Sequence, residues 1–290
     1  MKNKISAFNI INGVILVLFG LICLFPLVYE LLIAFSSKTD YYQSNFIVWP
    51  AHFTLENFRY IFLQNNIGRS FAVSVFVTVV GVTLNMLLTI IGAYALSRED
   101  MPFKKAFFLF VLFTMFFGGG LIPFYITVRN LGLMQNNAVS VFSVIIPFGI
   151  SGFNMIILRN FFRAVPDDMI EACIIDGASQ LRIMLGFVVP LSKAGIATVT
   201  LFYAVERWND WYWPMLFITN SDYAPLSLAL RNILSSNTAL DAGGGVDSTL
   251  TSAEGQSAAT ILLSILPILF AYPFVQKYFV RGVMLGGIKG

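Results

Sequence analysis

From Ile10 to Phe35 the chain carries a single charged side chain, Glu30. At about 1.5 Å per residue, roughly 20 helical residues cross the roughly 30 Å hydrocarbon core of a bilayer. Five further stretches repeat the pattern: Phe71–Leu96, Ala106–Val128, Ala138–Leu158, Leu185–Val205 and Ala258–Phe279. These runs are continuous and lack the period-two alternation of barrel strands, so the backbone must bond within each segment as a helix. The expectation is an all-α membrane protein with six transmembrane helices. Hydrophobic residues make up 57% of the 290 residues and charged ones 11%, which a water-soluble core cannot accommodate. A net charge of +3 with no basic run excludes nucleic acid as a partner. Lys2 and Lys4 precede the first span as in a signal peptide, but that span is too long and no small-x-small cleavage site follows, so it is expected to be retained.

Basic residues orient the spans. An inside N-terminus places Lys2, Lys4, Arg98, Lys104, Lys105, Arg159, Arg163, Arg182, Lys193, Lys277, Arg281 and Lys289 on the inner side, against Lys38, Arg59, Arg69, Arg129, Arg207 and Arg231 outside. Both termini are therefore expected in the cytoplasm, with the chain multi-pass in the cytoplasmic membrane. No repeat is evident, and residues 1–290 read as a single membrane domain. Its outer segments 36–70 and 220–257 are long. Leu226–Leu234 is apolar enough to pack, whereas Asp241–Gln256 is rich in Gly, Ser and Thr and is expected to be mobile. The lone His52 and the cysteines Cys23 and Cys173 form no metal-ligand pattern.

The chain has only 15 acidic residues, yet Asp167, Asp168, Glu171 and Asp176 fall within one inner connection, about 159–190. Pro166 suits the first position of a helix, and Asp167 and Asp168 suit its positive end. Met169, Ile170, Cys173 and Ile174 recur at helical spacing as one apolar stripe. Gly177 suits a C-terminal stop and Ser179 the cap of a second helix that becomes span five. Carboxylate catalysis would need a concave pocket that so short a loop does not build. Helix-dipole complementarity explains Asp167 and Asp168, but not the spacing of Glu171 and Gly177. A docking helix explains both.

That spacing resembles the permease subunits of ATP-binding-cassette importers. Their signature is Glu-Ala-Ala, three residues, Gly, nine residues, then Ile-x-Leu-Pro. Here it reads Glu171-Ala172-Cys173, Gly177 and Phe187-Val188-Val189-Pro190, with apolar replacements at Cys173, Phe187 and Val189. WNDWYWPMLFI at 208–218, FTLENF at 53–58 and the tail at 272–290 resemble the carbohydrate, maltose-type branch. FFGGGLIPFY at 116–125 resembles its complex-oligosaccharide subgroup. The resemblance implies the type I importer permease fold with a cytoplasmic coupling helix between helices four and five. It also implies that Glu171, Ala172, Cys173, Asp176, Gly177 and Pro190 serve ATPase coupling. The implied partners are a second homologous permease, two ATPase subunits that bind ATP and Mg, an extracytoplasmic substrate-binding protein, and membrane lipid. The implied cargo is an oligosaccharide, complex or polysaccharide-derived; the alternatives are another solute class or an ion-coupled secondary transporter.

From the residues themselves, the absence of G-x-x-x-x-G-K-[ST] means that this chain carries no such nucleotide loop and binds no cofactor by that route. It is not expected to be an enzyme, and catalytic and metal-binding residues are expected to be none. Glu30, Glu206, Arg207 and Asp210 lie near span ends rather than at the midplane, where an ion-coupled transporter would need them. Phe117, Gly118 and Gly119, with Gly120 and Pro123, interrupt span three. Close packing, local unwinding or a widened translocation path would each account for that. Asn85 and Asn154 either join helices by hydrogen bonds or touch substrate. Trp208, Asn209 and Asp210 sit either in an interfacial aromatic belt or on the sugar path.

Overall fold

The computed structural model describes the backbone of residues 7–44, 46–64, 67–243 and 251–286, and leaves undescribed the side chains of 7, 9, 64, 237–243, 268 and 271–286. The basic residues Lys2, Lys4 and Lys289, the 244–250 part of the Gly/Ser/Thr-rich stretch, and the end of the tail motif lie outside the described residues. The helices are α1 (Ala7–Ala34), α2 (Lys38–Gln43), α3 (Glu56–Gln64), α4 (Ile67–Ser97), α5 (Lys104–Phe116), α6 (Leu121–Asn130), α7 (Gly152–Arg163), α8 (Asp167–Ile175), α9 (Gln180–Ile183), α10 (Val189–Leu191), α11 (Lys193–Asn209), α12 (Tyr212–Phe217), α13 (Leu226–Gly243) and α14 (Ala253–Gly286). Among the described residues there is no strand, only one antiparallel bridge between Ser36 and Phe53.

Among the described residues, two helices are each long and apolar enough to cross a membrane unaided, Ile10–Ala34 and Ile67–Ser97. Three of the expected spans are bent pairs. Span three turns by 111° between α5 and α6, span four by 51° before α7, and span five by 85° before α11. Counting each pair as one span gives five; the sixth expected span falls on α14, most of whose side chains are undescribed. The break in span three falls at the glycine run that was expected to interrupt it; spans four and five were expected to be uninterrupted, and local chemistry explains their departures. Span four opens in 3₁₀ turns at Val139–Val144 and Ile146–Phe148, and Pro147, Gly149 and the Ser151 cap delay its α-helix to Gly152. In span five a π-turn at Met184–Val188 precedes Pro190, and the chain breaks at Ser192.

The contacts divide the chain into two compact units, Met1–Ile67 with Leu230–Leu266, and Gly68–Ala229 with Pro267–Gly290. In the first unit Asn57, from the FTLENF motif, is buried and donates to the carbonyls of Ala34 at 2.9 Å and Ser36 at 3.1 Å. Gly255 lets α14 pass against that amide, since a Cβ there would stand 2.7 Å from Asn57 Oδ1. Thr251, Ser252 and Gln256 are buried, so this end of the stretch expected to be mobile is packed. Leu230 and Ile233 of α13 are buried, in line with the apolar reading of Leu226–Leu234. The carboxylate of Asp40 shares a 2.9 Å hydrogen bond with His52 Nδ1 and accepts the His52 backbone N–H at 2.7 Å. The bond from the His52 ring, chiefly, holds the Asp40 carboxyl below its ordinary range.

In the second unit α4 is apolar on all sides, with one flank in the core and the other, including Val79, Leu87 and Ile91, exposed, as suits a helix that also meets lipid. Asn85, Thr89, Ala93 and Ser97 form a buried i, i+4 row along it. Around its later turns Tyr94 and Leu96 pack with Met155, Leu158, Ile170, Cys173, Ile183 and Tyr203 in one core. A second core joins Val77, Val144, Ile145 and Phe217.

Candidate functional site

Helix α8 follows Pro166, which is the cap residue with extended backbone rather than the first helical residue. Its ring fixes φ, but ψ at 133° keeps it outside the helix, so the first turn begins at Asp167. The end of α8 is a Schellman turn: Gly177 N–H donates to Ile174 O at 2.9 Å, and Ala178 N–H to Cys173 O at 3.0 Å. The turn needs the left-handed conformation, and Gly177 supplies it with φ of 77°. Ser179 then caps α9 by accepting from Arg182 N–H. The predicted apolar stripe divides in two. Ile170 and Cys173 are buried, whereas Met169, Ile174 and Ile175 are exposed beside exposed Glu171, Ala172 and Asp176.

The segment is fastened to the end of α4. Arg98 Nη1 faces Asp167 Oδ1 at 3.7 Å, and Tyr94 donates to Gln180 Oε1 at 2.6 Å. Arg159 on α7 donates to Leu96 O at 2.9 Å. Thus Glu171, Ala172, Cys173, Asp176 and Gly177 share one helix and its closing turn. Pro190 stands apart from them, exposed at the span-five break.

A cleft of about 490 Å³ opens elsewhere in this unit. Gly118 and Gly120 from the span-three break line it, with Leu121, Phe124, Pro147, Phe148, Tyr212 and Trp213. Gly119 and Gly120 have φ of 63° and 91°, so local unwinding is the outcome at this break. The rings of Phe124, Phe148 and Trp213 pack edge-on or tilted at 5.0–5.5 Å between centroids.

Of the other candidate path residues, Phe117 is exposed and stacked on Phe113. Trp208 meets Phe71 edge-on, and Asn209 bonds back to Val205 O. Asp210 caps α12 by accepting from the N–H groups of Tyr212 and Trp213. These four do not line the cleft; their neighbours Tyr212 and Trp213 do. Asn85 and Asn154 are buried. Asn85 donates to Phe148 O at 2.6 Å, the inter-helix role, and Asn154 lies in the first turn of α7 under the Ser151 cap. Phe124 and Phe148 escaped the sequence reading because an aromatic in a span is ordinary. The nearest signal was the Pro147–Gly149 interruption, which marks a place where backbone leaves the helical ladder.

No family model matches the chain. The polygalacturonan/rhamnogalacturonan transport system permease protein YtcP of Bacillus subtilis (strain 168) is 37% identical over 292 residues, covering 100% of both chains. Protein LplC of the same organism is 36% identical over 285 residues, covering 98% of this chain and 95% of that one. Among solved structures, a chain of a bacterial ABC transporter involved in the import of the acidic polysaccharide alginate matches with a TM-score of 0.84 and 31% identity. That match covers 96% of this chain and 99% of its counterpart.

Proposed function

The chain belongs to the permease subunits of ATP-binding-cassette sugar importers, and from that membership we propose that it carries an oligosaccharide released from a polysaccharide across the cytoplasmic membrane. It works as one transmembrane domain of six spans, with the bent pairs counting as spans and both termini in the cytoplasm. A second homologous permease pairs with it. Two ATPase subunits hold ATP and Mg, and an extracytoplasmic binding protein delivers the sugar. This chain binds no nucleotide and hydrolyses none.

The observation that carries the reading is α8. It projects Glu171 and a patch of Met169, Ile174 and Ile175 outward, while Ile170 and Cys173 anchor it. An acidic group beside exposed apolar side chains suits a cleft on a partner protein. Closure of the ATPase pair on ATP pushes this helix. The fastenings at Arg98 and Tyr94 pass the push to α4, and the permease pair turns from inward-facing to outward-facing. The aromatic cleft supports a sugar path: the C–H faces of sugar rings pack on aromatic faces, and few hydrogen bonds hold the sugar back from moving on.

The test is uptake by the assembled importer in proteoliposomes, with labelled galacturonate trisaccharide as probe. Uptake requires ATP and the binding protein and survives collapse of ion gradients. Uptake that persists without ATP and stops when the gradients collapse overturns the proposal in favour of ion coupling.

A further inference from the structure

The second unit buries a cation that neither the coupling segment nor the cleft accounts for. Arg207, in the last turn of α11, is 8% exposed. Among the described residues no carboxylate comes within ion-pair distance of it, and Glu206 and Asp210 act on its charge only from farther off. Its partners are neutral oxygens. Nε and Nη2 each donate to Asn85 Oδ1 at 3.3 Å, Nη1 donates to Val144 O at 2.7 Å, and Nη2 donates to Phe148 O at 2.6 Å. The guanidinium carbon also stands 5.4 Å from the centre of the Phe148 ring. Gly81, one turn before Asn85 on α4, makes room: a Cβ there would stand 3.3 Å from Arg207 Nε.

A buried charge among neutral acceptors is expensive in an apolar chain, and a need for packing alone does not call for one. Its position gives a reason. Val144 and Phe148 end the two 3₁₀ turns of span four, where Pro147 and the change of helix type leave carbonyls without the α-helical donor four residues on. A guanidinium is the side chain that can reach several such carbonyls at once from a fixed plane. Phe148 receives the most. Its carbonyl accepts from both Arg207 and Asn85 Nδ2, while its ring stands in the cleft wall beside Trp213 and Phe124.

We propose that Arg207, with Asn85 as its brace, is a positioning residue that holds Phe148 in the wall of the sugar path. It acts behind the wall and touches no sugar. The proposal rests on the reading of the cleft as that path.

The experiment compares Asn85→Asp, Arg207→Lys and Trp213→Ala in the fully assembled importer, with galacturonate trisaccharide delivered by the binding protein. Asn85→Asp is the sharp variant: it keeps an acceptor for Arg207, and even adds a charge partner, but replaces the donor to Phe148 O with an oxygen. The expected result is normal recovery of assembled complex, an unchanged KM for the loaded binding protein, and kcat per complex lowered about tenfold. ATP hydrolysed per sugar should rise. Arg207→Lys should move the same way, because an ammonium cannot span all three acceptors. Wild-type kinetics in Asn85→Asp alongside impaired Trp213→Ala overturns the positioning role and leaves the cleft reading standing. Wild-type kinetics in both overturns the cleft reading itself. Loss of assembled complex at full kcat per complex reduces Asn85 and Arg207 to a structural staple and overturns the proposal.

Discussion

Asp167, Asp168, Glu171 and Asp176 stand exposed on and beside α8, whereas Arg207 lies buried with neutral oxygens around it. Both are departures for a chain with 11% charged residues, and they answer different needs. An exposed charge costs little to keep, so its place in an apolar chain reports where that chain leaves the lipid and meets water or a partner. A buried charge must be matched bond by bond or it destabilises the fold, so its place reports a part of the interior that has to be held in one geometry. The first kind of group can be replaced without unfolding the protein and still abolish its work. The second kind links work to fold, and separating the two takes a variant such as Asn85→Asp that removes the donor to Phe148 O while keeping an acceptor for Arg207.

The largest effect should come from the exposed side of this comparison. Glu171→Lys reverses the charge of α8's outer face without touching its buried anchors Ile170 and Cys173. Sugar-coupled ATPase activity is expected to fall about 100-fold, toward the upper limit of typical coupling between sites, with membrane insertion unchanged by fractionation. Gly177→Pro should do likewise for a different reason. Proline cannot adopt φ of 77° and has no N–H to give Ile174 O. Full coupled activity in Glu171→Lys sinks the docking role of α8.

Next in size is the glycine break, where the cleft depends on backbone rather than charge. Gly120 holds φ of 91° and ψ of 157°, a region reached almost only by glycine, at a cost of about 1–3 kcal/mol for other residues. Gly118 has open space around its α-carbon and no positive φ. Gly120→Ala should therefore lower uptake about tenfold, the factor that 1.4 kcal/mol corresponds to, while Gly118→Ala leaves it nearly intact. Equal uptake in the two variants means that the bend between α5 and α6 is not needed for passage.

The exposed region was the more legible of the two. Its signals are local: Pro166, the acids, Gly177 and Ser179 lie within one segment, and caps and turns are set by neighbours in sequence. The stripe on α8 was read as one face because periodicity does not say which apolar side chains a helix buries against its own chain and which it leaves for a partner. The apolar spans were legible by length, but their bends were legible only at the glycine triplet. The 3₁₀ turns around Pro147 and the π-turn before Pro190 leave no mark in the apolar periodicity from which the spans were read. The buried clasp was illegible because its partners are distant in sequence, 122 residues apart for Arg207 and Asn85, and two of its acceptors are backbone carbonyls. Arg207 read as a span-end charge for that reason. The signal present was weak: an arginine in a helix and, elsewhere, an asparagine one turn after a glycine.

Asp40 is the intermediate case and gives the smallest expected effect. It is buried like Arg207 but is paired with His52, whose side chain is 79% exposed. The carboxyl is held below its ordinary range, chiefly by the His52 ring and also by the His52 backbone N–H and Ser37. A depressed carboxyl contributes stability that is present above its unfolded-state pKa and is lost as pH falls through the folded-state value. Asp40→Asn keeps the shape and removes the charge. At pH 7 the purified importer carrying Asp40→Asn should melt lower by about 2–4 °C for each 1 kcal/mol lost, and the loss should be small because water screens the exposed partner. On acidification the wild type approaches the variant, so the two melting curves should converge below the ordinary carboxylate range. His52→Ala should reproduce only part of the loss, since the backbone N–H at 2.7 Å remains in that variant. A gap in melting temperature that stays constant from neutral to acid pH would mean that Asp40 serves by shape alone, and that charge in this chain matters only where it is fully exposed or fully enclosed.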